Sequence, residues 1–239
     1  MTSDVPPASV STPVSAVVER VVAELDAVRA TLAPDDGIGV FLDVYREVTA
    51  LVAVRDADGT FADPAFLGDL DGRFAGLFLD VPRELAAGRA VNKAWAPLVE
   101  RRATHGVLPV QFALAGMNAH INHDLALAVV ATCEARGCAP TDGTVHADFE
   151  RVNDVLAEVV RPIRRSFLDA DVVRLGAPLS PVADLVSNFS IEQARDAAWV
   201  AALTLWHLRA VPPLARSFEQ ALARTVGLVG RQLLTVVVV

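Results

Sequence analysis

Two imidazoles and a carboxylate stand close together in Asn118-Ala119-His120-Ile121-Asn122-His123-Asp124, inside an otherwise apolar stretch. Helical spacing puts His120 and Asp124 one turn apart on one face, with His123 on the adjacent edge, so the three side chains can reach a common point. An aspartate beside a histidine fixes the imidazole tautomer and raises its basicity, which suits either a general acid/base or a metal ligand with its supporting partner. Both uses need the pair out of water, and the apolar flanks supply that. Gly116, one turn before His120, leaves space where a ligand or another helix can approach. A buried His-Asp pair can equally be a hydrogen-bonded core contact that fixes helix register, and this alternative stays open.

Partners for the motif are sought on a second helix, where Asp196, Val200, Leu203 and His207 fall on one face. If that face meets the motif, His120, Asp124 and His207 form a metal set suited to zinc or iron. The chain lacks both the His-Glu-x-x-His spacing of zincins and the Glu-x-x-His pairs of di-iron bundles, so no cofactor is demanded by a complete signature. Phe74, Phe78, Trp95, Trp199, Tyr45 and Trp206 read as core aromatics that would line a cavity if one exists, with Phe74, Phe78, Trp95, Trp199 and Asn118 as the expected substrate contacts. His105 and His146 read as solvated helix-end residues. Arg161, Arg164 and Arg165 form a small basic cluster that a solvent-facing surface explains. There is no Gly-x-Ser-x-Gly elbow, Asp69-Leu70-Asp71 is too sparse for a magnesium-diphosphate site, and Cys133 and Cys138 lack a zinc-ribbon or redox spacing.

The elements that must position these residues are helical throughout. Thr12-Pro13 reads as cap and first turn of a helix to about Leu32, and a second runs from about Val40 until Asp56-Ala57-Asp58-Gly59 breaks it. Asp63-Pro64 opens a third that Pro82 is expected to end or kink, with a short helix before Gly88. An amphipathic stretch near 90–104 carries Trp95. The long segment from about Leu108 to Ala135 holds the motif and is apolar on nearly every face, the mark of a central bundle helix. A helix capped by Asp142 or Thr144 runs to about Leu168, kinked at Pro162, and the loop Leu175 to Pro181 follows. Ser190 with Gln193 has the form of a capping box that starts the Trp199 helix, and the last helix covers about Leu214 to Leu234. Val236 to Val239 reads as a packed or frayed tail. The expected fold is therefore all-α: a single-domain bundle of about eight helices over residues 12–239, after a flexible lead-in at 1–11.

The chain has 239 residues, 53% of them hydrophobic, a mean hydropathy of +0.39, and no apolar run of the roughly 20 residues needed to span a bilayer. Its formal charge of −8 opposes binding to nucleic acid or an anionic membrane, since both depend on clustered basic residues. With no secretion signal at the N-terminus and few cysteines, a cytoplasmic location is expected. The partners left are a small apolar molecule and, given the apolar composition, a second copy of the chain.

At Ala115 to Leu125 the sequence resembles an all-helical bacterial family, common in actinomycetes, that carries only a domain-of-unknown-function label. Tyr45 with Thr49, Phe61-x-Asp63, Leu70-Asp71-x-x-Phe74 and Trp95 extend the likeness over about residues 40–170. Similar sequences tend to carry tyrosine where this one has Phe78. The resemblance implies a helical fold and points again to His120, His123 and Asp124. A looser similarity to the helical zinc phospholipases and nucleases rests on His120-x-x-x-Asp124 alone, without their many other ligands. The reading that follows is a cytoplasmic helical enzyme using His120 or His123 as acid/base and Asp124 as its orienting partner. It would perform a cyclisation, isomerisation or hydrolysis in bacterial specialised metabolism. A metal-dependent hydrolase and a non-catalytic ligand-binding or dimerisation module are the alternatives.

Overall fold

Three helices start where a short polar side chain can satisfy the first backbone N–H groups. Asp36 accepts from Ile38 N at 2.8 Å, Asp63 from Phe66 N at 2.8 Å, and Ser190 from Gln193 N at 3.2 Å. In the computed structural model, which describes residues 14–57, 59–154, 156 and 189–236, the helices are α1 (Val14–Arg29), α2 (Gly37–Ala57), α3 (Pro64–Ala86), α4 (Ala96–Arg101), α5 (Pro109–Ala119), α6 (Leu125–Arg136), α7 (145–154), α8 (Ile191–Leu208) and α9 (Pro212–Leu233). The fold is all-α, with no strand among the described residues. The Thr12-Pro13 start, the lead-in, the Pro162 kink, the arginine cluster at 161–165, the loop 175–181 and the last three valines lie outside the described residues. Val236 is exposed.

Pro82 does not end α3, which continues to Ala86 and absorbs the short helix expected before Gly88. Phe78, Leu79 and Val81 around it are buried in the core, and their packing holds a turn that Pro82 cannot hydrogen-bond. The stretch near 90–104 is helical only over α4. Ahead of it, Asn92 Oδ1 accepts from Ala94 N at 2.9 Å and Trp95 N at 3.2 Å, a side-chain turn that fixes where Trp95 enters the core.

The central apolar helix is present, but it is not one continuous α-helix. Between α5 and α6, residues His120–Asp124 form a π-turn, in which Leu125 N–H donates to the His120 carbonyl five residues back. The two halves serve different cores. α5 packs against α2 and α9 in a cluster that includes Leu25, Phe41, Phe78, Trp95 and Leu114. α6 packs against α3 and α8 in a cluster that includes Phe66, Leu70, Val129, Phe149 and Trp199. The polar motif lies where the two cores meet.

α8 buries Ala194, Arg195, Ala198, Trp199, Ala201, Ala202 and Leu205. The four buried alanines bring its backbone close to α6. The face expected to meet the motif is the opposite one: Asp196 and His207 are exposed, and Val200 is 62% exposed. Residue size decides this, because a close helix pair admits alanine where it excludes β-branched bulk.

The space at Gly116 is taken by Phe41 of α2, not by a ligand. A Cβ placed on Gly116 would lie 2.3 Å from Phe41 Cγ and 2.7 Å from its Cβ. In an open helix Gly→Ala stabilises by up to about 1 kcal/mol, whereas forced overpacking costs about 1–3 kcal/mol. Gly116→Ala is therefore expected to lower the urea midpoint of unfolding; a raised midpoint would show that Phe41 yields freely.

Candidate functional site

Asp124 is fully buried and is the centre of the polar motif. Its Oδ2 lies 3.1 Å from His120 Nδ1 and accepts from Trp95 Nε1 at 2.9 Å, while its Oδ1 lies 2.7 Å from His123 Nδ1. An ionised carboxylate only accepts, so both Nδ1 atoms carry protons, and a neutral imidazole held this way keeps its lone pair on Nε2. The π-turn makes this set compatible with one helix: α-helical neighbours such as His123 and Asp124 diverge, and the wider turn keeps both facing the same interior.

The charges follow from burial and hydrogen bonding. Desolvation alone would push the Asp124 carboxyl up, but the hydrogen bonds it accepts from His120 and His123 outweigh it and hold the group below the ordinary carboxylate value. At His120 burial prevails. Burial of the ring outweighs the Asp124 hydrogen bond and charge, so its pKa is lowered and the ring is neutral near pH 7.

Five aromatic rings enclose His120. Phe74 stacks on it with centroids 3.6 Å apart and planes within 4°, and Tyr45 meets it edge-on at 4.6 Å. Phe41, Phe78 and Trp95 complete the box with centroids 5.8 to 6.1 Å away. His120 Nε2 is buried and, among the described residues, is the one buried side-chain nitrogen or oxygen without a hydrogen-bond partner. Beyond Phe74 and Tyr45 lies a cavity of about 70 Å³, bounded also by Val48, Thr49, Leu70, Asp71 and Arg195. His120 is not part of its wall. Burial pushes the Tyr45 hydroxyl above its ordinary value, with the Asp71 charge adding to the shift.

The structure brings His120, His123, Asp124, Phe74, Phe78 and Trp95 together, with Trp95 acting as a hydrogen-bond donor to the carboxylate. It does not bring in the remaining expected residues. Asn118 donates to the Val226 carbonyl at 2.9 Å and accepts from Asn122 at 3.4 Å, so its amide ties α5 to α9. Trp199 packs on Phe149 and His146, away from the box. His207 Nδ1 faces the Leu203 carbonyl of its own helix at 2.6 Å, which leaves the set of His120, Asp124 and His207 unassembled. Among the described residues, no three His, Cys, Asp or Glu side chains are placed to hold a metal ion.

Phe41, the edge-on role of Tyr45, and Arg195 are absent from the sequence reading. Arg195 left a signal: a charged residue at helical spacing with Ala198, Trp199 and Ala202, on the alanine-marked face.

The model of a family of unknown function, DUF5995, matches residues 18–236. The chain belongs to the DUF5995 family. No curated protein and no solved structure matches it. Membership thus extends the likeness beyond residues 40–170 to nearly the whole chain, and it adds no activity.

Folded His120 binds a proton more weakly than the unfolded side chain, whose reference value is 6.5. Acidification through that value therefore favours the unfolded state, with a slope of at most about 1.4 kcal/mol per pH unit for one proton. Asp124, held below 3.8, adds its loss only in stronger acid. Urea unfolding at a series of pH values should show wild-type stability falling below the His120 reference value, and His120→Gln should flatten that slope. An unchanged slope would mean that His120 is not held neutral.

Proposed function

We propose that the protein is a helical-bundle enzyme that moves a proton on a small, largely apolar molecule, with His120 as the base and Asp124 as the residue that positions it. The observation that carries this reading is the bare, buried Nε2 of an imidazole whose other nitrogen is fixed by a carboxylate. Such a ring is already neutral, so it accepts a proton without first losing one, and Asp124 then stabilises the imidazolium that forms. Removal from water strengthens that pairing. The cavity beyond Phe74 is the room for the substrate, and a swing of the Phe74 ring would connect it to His120.

Among the reactions open to such a base, cyclisation or isomerisation fits better than hydrolysis. A hydrolytic water needs two or more polar partners, and the rings around His120 offer aromatic surface. The closed packing of the same rings favours a second reading, a non-catalytic module that binds an apolar ligand in the cavity.

Incubation in deuterated water with a panel of small carbonyl-bearing carbon acids separates the two. Proton NMR should show protein-catalysed deuterium incorporation, lost in His120→Gln with helical circular dichroism intact. Exchange that is absent, or indifferent to His120, would overturn the enzyme reading. Loss of fold in the variant would assign the motif a structural role.

A further inference from the structure

We infer that the cavity beside Phe74 takes a small monocarboxylic acid, its carboxylate against Arg195 and its apolar part against Phe74 and Tyr45. This rests on the reading of that cavity as the substrate room and names the substrate class.

Arg195 is only 5% exposed, and arginine is rarely buried to that degree without a matched charge. Its Nη2 donates to the Phe149 carbonyl at 2.7 Å, its Nε donates to Asn153 Oδ1, and its guanidinium lies 4.2 Å over the Phe149 ring. Both acceptors are neutral. Among the described residues no carboxylate forms an ion pair with it; Asp71, Glu150 and Asp196 act on it from farther away. Burial accordingly pulls the guanidinium down to about 10, still charged at neutral pH. Among the described residues those bonds engage two of its five N–H donors, and a guanidinium edge is shaped for two parallel bonds to a carboxylate.

The rest of the wall sets the class. Val18, Val48, Leu70 and Phe149 are apolar and demand an apolar body. Asp71 on the same wall disfavours a second negative charge, which selects a monoanion. A volume of about 70 Å³ is roughly half that of a cavity known to hold benzene, about 150 Å³. The fit is an acid of a few carbons, with larger ones requiring Phe74 to move.

The probes are acetate, propionate and the neutral isostere propionamide, followed by ligand-observed NMR and calorimetry on the full chain. The acids should bind wild-type protein at least about tenfold more tightly than the amide, the weight of hydrogen bonds to a charged group. Arg195→Gln should erase that preference. Val48→Phe, which fills the cavity and leaves Arg195 in the chain, should abolish binding of acid and amide alike and keeps the test decisive if Arg195→Gln fails to fold. His120→Gln should bind the acids as wild type does, so failure of the base role leaves this inference standing. Equal binding of acid and amide, acid binding that survives Val48→Phe, or no acid binding at millimolar concentration would overturn it.

Discussion

A buried carboxylate must be fully hydrogen-bonded or it protonates, and much of this molecule is arranged to meet that demand at Asp124. Three donors converge on its two oxygens, two from its own helix and one from Trp95. Each has a structural cost that other residues offset. The π-turn gives up regular α-helical hydrogen bonding so that His123 and His120 face the same interior. Trp95 reaches the carboxylate from before α4 because Asn92 folds the preceding backbone into a turn. Gly116 lets Phe41 close over the assembly from α2.

The position of this hub between two hydrophobic clusters gives it functional interest. α5 belongs to one core and α6 to the other, so the π-turn is the point where the central helix changes neighbours. Phe74 and Tyr45 stand at that seam, with one side toward His120 and the other toward the cavity that holds Arg195. The bare nitrogen of His120 and the cavity that Arg195 lines thus share Phe74 and Tyr45 as neighbours.

Much of this was legible in the sequence, for identifiable reasons. Polar residues inside an apolar helix mark a place where burial must be compensated, so residues 118–124 were conspicuous. Asp63-Pro64 and Ser190 announced their helices because capping is local chemistry. Other features depend on tertiary packing. Pro82 reads as a terminator until flanking side chains hold the turn. The π-turn has no residue signature distinct from an α-helix. On α8 the choice of face turned on reading bulk: Val200 and His207 suggested one side, while the alanines at 194, 198, 201 and 202 marked the side that packs, and Arg195 travels with them. Asn118 reads as a substrate contact because nothing local says that its partner is a carbonyl of α9.

The central claim is that Asp124 holds His120 as the neutral tautomer protonated at Nδ1, with Nε2 bare. Long-range nitrogen–proton NMR of the labelled imidazoles measures this directly. At pH 7 the account predicts a His120 Nδ1 signal in the protonated range and an Nε2 signal in the unprotonated range, persisting below the ordinary histidine pKa. An Nε2-protonated tautomer, or a doubly protonated ring at neutral pH, would contradict it.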